Sequence, residues 1–160
     1  SMDDAWAAIS PGWKLVDPEQ ASHDSILLEG DIETGLSVLV ALRGPRNGRV
    51  EPEAFANQSK LFERALASLS SGSIFAAMSA NGMAVAAATG DDEALRICNS
   101  AIVRGAISAG VTGSGPAIAI ICYEQHADSL AEFVRESGME VIAAAFTQSR
   151  MQSEEASRWE

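Results

Sequence analysis

At 160 residues the chain has the length of one ordinary domain, enough to bury roughly two-thirds of its unfolded surface around a single core. Hydrophobic residues make up 47% and charged residues 21%, globular proportions that exclude a disordered chain. The net charge of −11 repels phosphate backbones and anionic lipid, so neither nucleic acid nor a membrane is an expected partner.

Three short strands open the chain, at 13–16, 26–29 and 36–42. The last is the clearest, because Leu36, Val38, Val40 and Leu42 alternate with other residues at the period of a strand. Pro11-Gly12, Pro18, Gly30-Asp31 and Gly35 punctuate them, and an antiparallel start is expected. From Pro52 the period becomes helical, with Phe55, Phe62, Leu66 and Leu69 on one face and Asn57, Lys60 and Arg64 away from it, which predicts an amphipathic helix.

Ser70-Ser71-Gly72-Ser73 interrupts that helix, and a second is predicted over 74–89 with Gly90 as its cap. Asp91-Asp92-Glu93 open a third, where carboxylates favour the positive end of the helix dipole. It is expected to present Leu95, Cys98, Ile102, Gly105, Ala106 and Ala109 as a stripe and to end at Gly110. An apolar strand over 117–123, a helix carrying Leu130, Phe133 and Val134, a cap at Gly138 and a strand over 139–147 complete the order. The tail 148–160 is polar. The expected fold is α+β: a two-layer, ferredoxin-like domain with a mainly antiparallel sheet and helices packed on one face.

Cys98 and Cys122 are the only cysteines and both have apolar neighbours, which suits buried, reduced thiols in a cytoplasmic protein. The apolar runs are too short to span a bilayer. His23 and His126 have no partner pattern, and no Cys/His/Asp spacing marks a metal site.

The chemistry-bearing segment is Gly110-Val111-Thr112-Gly113-Ser114-Gly115-Pro116, expected between a helix and a strand. Interleaved glycines let backbone amides converge on an anion, and Thr112 and Ser114 add hydroxyl donors; a tight connection in which glycines only relieve crowding is the alternative. No lysine follows Gly115 as a Walker loop requires, and a dinucleotide fingerprint would open a helix.

Together with Ala77-Met78-Ser79-Ala80-Asn81-Gly82, Thr89-Gly90-Asp91-Asp92 and Asp3-Asp4-Ala5, this motif resembles the galacto-, homoserine, mevalonate and phosphomevalonate (GHMP) kinase superfamily, and within it the archaeal-type shikimate kinases. The resemblance spans about 3–147. It implies the C-terminal domain of an ATP-dependent kinase that phosphorylates a small-molecule hydroxyl, shikimate first, within aromatic amino-acid biosynthesis. Another GHMP acceptor, homoserine or an isoprenoid alcohol, is the alternative, as is a non-catalytic ferredoxin-like module that binds a ligand or a partner.

The resemblance further implies a partner lobe ahead of Asp3 that cradles the ATP triphosphate and holds Mg2+. Leu69-Ser70-Ser71-Gly72-Ser73 only faintly imitates that lobe's phosphate loop, so this stretch alone is not expected to turn over. Gly110, Thr112, Gly113, Ser114 and Gly115 would support the phosphates or the acceptor. Asp3 or Asp4 would activate the acceptor hydroxyl, and no metal ligand is assigned.

Two residues are added on physical grounds. Asn81-Gly82 lies inside a helix, where glycine costs on the order of 1 kcal/mol relative to alanine, and such a broken local rule marks either a site or a close approach. Arg43, with Arg46 and Arg49, follows a strand in an acidic chain; a guanidinium suits a substrate carboxylate, with a solvated turn of arginines as the alternative and Arg43 the best exception to it.

Overall fold

The computed structural model describes residues 9–17, 19–20, 22–45 and 51–146. The chain divides into two compact units, 36–144 and a smaller one drawn from 1–35 and 145–160. In the smaller unit β1 (Trp13–Val16) pairs antiparallel with β2 (Ile26–Gly30), with a register shift between Leu15 and Val16.

The larger unit runs β3 (Leu36–Leu42), α1 (Pro52–Ala56), α2 (Ser59–Ser70), α3 (Ile74–Thr89), α4 (Asp92–Val103), β4 (Ser108–Val111), β5 (Ile118–Tyr123), α5 (Glu124–Glu136) and β6 (Glu140–Ala144). Its four strands lie in the order β4-β5-β3-β6. Every neighbouring pair is antiparallel. The β5-α5-β6 segment straddles β3, which is the split strand-helix-strand of a ferredoxin-like sheet. The α+β expectation therefore holds.

The antiparallel start extends only to β1 and β2. β3 finds its partners far along the chain, where Leu39 faces Ile120 of β5 and Ala143 of β6. Leu39, Ala41, Ile118, Ile120, Cys122, Ile97, Cys98, Leu130 and Val134 form one buried cluster. Burial of those side chains, at about 25 cal/mol per Å² of apolar surface, is the main term that favours this unit over the open chain.

α3 occupies the residues expected of it, and Gly90 closes it at φ +67°, a left-handed cap that a side chain would strain. The helix expected from Pro52 is two helices, because Asn57 and Gln58 form a turn between Ala56 and Ser59. Ala65 is the buried residue of α2, while Leu66 is 54% exposed.

The third helix is shorter than its apolar stripe implied. It stops at Val103, and Gly105 at φ +101° turns the chain out of the helical region. Ala94, Ile97, Cys98 and Ala101 are its buried positions, with Ile102 37% exposed. Ala109 and Gly110 then fall in β4, a strand of four buried residues.

Candidate functional site

Because β4 precedes it, the glycine segment joins two strands and not a helix and a strand as expected. It still opens a strand, so it keeps its distinction from the Walker and dinucleotide loops, which open helices. Within it, the Thr112 amide donates to the Ala117 carbonyl at 2.9 Å and the Gly115 amide to the Thr112 carbonyl at 3.0 Å. These bonds close a tight turn whose tip, residues 112–114, is exposed. Gly113 stands at φ +57° and Gly115 at φ +81° before a cis Gly115-Pro116 bond.

A Cβ at residue 113 would meet nothing within 4 Å, so only the backbone conformation demands glycine there. Gly113→Ala should therefore cost about 1–2 kcal/mol of stability from left-handed strain alone, read as a lower urea midpoint at unchanged slope. An unaltered midpoint would mean that the turn takes another conformation.

Gly110 is placed differently. A Cβ there would lie 2.9 Å from the Gly82 Cα, and one on Gly82 would lie 2.5 Å from the Gly110 Cα and 2.7 Å from the Val111 nitrogen. The two glycines let α3 rest directly against the backbone of β4. Close approach thus accounts for Gly82. The same helix serves the outer edge of the strand: the Ser79 hydroxyl accepts the Ala109 amide at 3.2 Å and lies 3.0 Å from the Ser108 hydroxyl. An edge amide that would otherwise need a further strand is satisfied this way.

Asn81 is exposed on α3, one residue before this contact. The sequence offered no sign of the Ser79 and Ser108 pairing, since serines 29 positions apart carry no spacing signal.

At the other side of the turn stands Arg43, just past β3. Its Nη1 donates to Asp91 Oδ2 at 2.5 Å and to the Pro116 carbonyl at 3.3 Å, and its Nη2 donates to Asp91 Oδ1 at 2.8 Å and Glu93 Oε2 at 2.5 Å. The Arg43 side chain is 10% exposed, Asp91 21% and Glu93 58%. The fork onto Asp91 is the bidentate geometry that a planar guanidinium favours.

Asp91 also caps α4 by accepting the Ala94 amide at 3.0 Å. The Arg43 hydrogen bond, helped by that amide, holds the Asp91 carboxyl below its usual range against the opposing effect of burial. A substrate carboxylate would have to compete with Asp91 and Glu93 for this guanidinium. Asp91 was visible in the sequence as a helix start; its partner, 48 residues away, was not.

Asp3, Asp4, Arg46 and Arg49 lie outside the described residues. Cys98 and Cys122 are free and buried; burial pushes the Cys98 thiol up to about 11, which keeps it protonated and inert at neutral pH. Among the described residues no three His, Cys, Asp or Glu side chains gather as a metal site, and no helix is long and apolar enough to cross a membrane.

Residues 62–139 match the family model for the GHMP kinases C-terminal domain. Curated proteins offer no match. Among solved structures, the chain is similar to a phosphotransferase related to the CoA biosynthesis pathway, with TM-score 0.58 and 15% identity over 77% of this chain and 42% of that one. It is also similar to homoserine kinase from Cytophaga hutchinsonii, with TM-score 0.51 and 17% identity over 87% of this chain and 50% of that one. The chain thus spans half or less of the length of these two enzymes. The match to the GHMP kinases C-terminal domain covers residues 62–139, just under half of the chain, and the α+β architecture of the larger unit, with its antiparallel sheet and packed helices, is the fold of that domain.

Proposed function

We propose that this chain is the C-terminal part of a GHMP-type kinase that moves the γ-phosphoryl group of ATP to the hydroxyl of a small acceptor, with shikimate as that acceptor. The observation that carries the reading is the glycine turn at 112–117, held with an exposed tip between two strands inside the region that matches the family model. Phosphoryl transfer depends on alignment and on stabilising charge. A short turn fixed by its own hydrogen bonds can hold donors at one place without reorganising during the reaction.

In this reading Thr112, Gly113 and Ser114 face the phosphates or the acceptor, while Gly110 and Gly115 set the path of the backbone. Asn81 contacts the acceptor from α3. Arg43 meets an acceptor carboxylate only where Asp91 and Glu93 release it. Asp3 or Asp4 takes the proton of the attacking hydroxyl. ATP is the phosphoryl donor and arrives with its magnesium, for which a preceding lobe is the expected holder; no step here is derived through that ion. The charge on ATP makes the net charge of −11 tolerable only where local donors offset it, which is what a glycine turn offers.

A second reading keeps the reaction and changes the acceptor to homoserine, favoured by the likeness of fold to the Cytophaga hutchinsonii enzyme. An isoprenoid alcohol is a further acceptor to include. ADP release by the full-length protein with shikimate, homoserine and mevalonate separates these readings. Shikimate should support turnover on the order of 1–100 per second. Turnover with homoserine alone would overturn the shikimate assignment, and silence with every alcohol would favour a binding module.

A further inference from the structure

Three segments that are remote in sequence meet on one guanidinium: the end of β3, the head of α4 and the glycine turn. Arg43 supplies the side chain, Asp91 and Glu93 the carboxylates, and Pro116 a main-chain carbonyl. The arrangement is nine-tenths buried at Arg43, whose Nε is enclosed without a hydrogen-bond partner. A buried donor left unpaired costs about 1–3 kcal/mol, so this arginine is held where water does not reach it and at a cost that a solvated turn arginine would not bear.

Each contact has a distinct consequence. The fork to Asp91 fixes the residue that caps α4 through the Ala94 amide. The bond to the Pro116 carbonyl restrains the descending limb of the turn, two residues beyond Ser114. The ascending limb is restrained separately, where Gly110 meets Gly82. The turn is therefore gripped on both limbs, by backbone contact on one and by a charged side chain on the other, while its tip stays exposed.

We propose that Arg43 is a positioning residue: by joining Asp91 and the Pro116 carbonyl it sets the conformation in which the tip at 112–114 is presented for phosphoryl transfer. This rests on the kinase reading above for its catalytic consequence, although the restraint on the turn does not. It also differs from direct capture of an acceptor carboxylate by Arg43, because the guanidinium acts through the turn.

Two conservative variants of the full-length protein test it. Arg43→Lys keeps the charge and loses the planar fork. Asp91→Asn leaves Arg43 in place and keeps a residue that caps helices as well as aspartate does. Both should speed hydrogen exchange of the Thr112 and Gly115 amides, whose bonds close the turn, by about tenfold, as expected when a charge-assisted bond is lost. Both should lower kcat by roughly ten- to a hundredfold, with the KM for the acceptor changed by less than about twofold.

The double variant should be little worse than either single one, since the two residues act as a unit. A rise in acceptor KM confined to Arg43→Lys, with exchange in the turn unchanged, would overturn the proposal in favour of direct substrate contact. Unchanged exchange in both variants, when melting shows both folded, would overturn it as well. Absence of turnover in the unsubstituted protein would count against the kinase reading alone, because the exchange measurement needs no activity.

Discussion

Replacing Gly82 by alanine is expected to lower the thermal midpoint by about 5 °C or more, equivalent to about 2 kcal/mol. Propensity alone argues the opposite, since alanine inside a helix is favoured over glycine by about 1 kcal/mol. The contact reverses the sign. A Cβ on Gly82 would sit 2.5 Å from the Gly110 Cα and 2.8 Å from its carbonyl carbon, and backbone atoms cannot swing aside as a flexible side chain can.

To accept one methyl group, α3 must lift from β4 and stretch the Ser79 hydrogen bond to the Ala109 amide. Gly110→Ala should act in the same direction, and the two should combine less than additively, because once α3 is displaced the second methyl group finds space. Asn81→Ala serves as the control: exposed on the same helix, it should stay within about 0.5 kcal/mol of the parent. A stabilised Gly82→Ala would show that the two backbones do not touch.

Asp91→Ala should cost about 2–3 kcal/mol at neutral pH, measured by urea unfolding. Loss of the cap on α4 contributes about 1 kcal/mol. The rest comes from a largely buried guanidinium deprived of its bidentate partner, an effect of about 1.5–3 kcal/mol for a charged hydrogen bond, reduced because Asp91 is 21% exposed. Glu93, 58% exposed, compensates little.

The pH dependence of this loss follows from the lowered Asp91 pKa. Between the ordinary aspartate value of about 3.9 and the depressed folded value, the unfolded chain binds the proton and the native one does not. The Asp91 contribution is therefore whole above the unfolded value and is lost as pH falls through the folded one. The difference in stability between parent and variant should be constant from about pH 5 to 8 and shrink below about pH 4. A difference that persists undiminished at pH 2 would refute the role given to the ionised carboxylate.

What the amino-acid order determined by itself is what short-range physics controls. The alternation in β3, the capped length of α3 and the apolar run of β5 each depend on residues within a few positions of one another, and these elements stand where they were expected. The glycine motif was equally legible as a turn, because positive φ at Gly113 and Gly115 is a local demand.

Its setting was not. The helical stripe runs on to Gly110 in the sequence, since Ala106 and Ala109 continue an apolar pattern whichever element holds them. Alanine favours a helix over a strand, so local preference agreed with the stripe, and the tertiary structure overrode it. β5 is apolar throughout and must be paired on both sides, with β3 on one and β4 on the other.

The same holds for Gly82, an apparent fault in a helix until Gly110 is set beside it. Arg43 shows the limit most plainly. Its residue type announced a carboxylate, yet which carboxylate it meets depends on the chain folding over 48 positions, and only the assembled unit brings Asp91 and Pro116 within reach of the guanidinium.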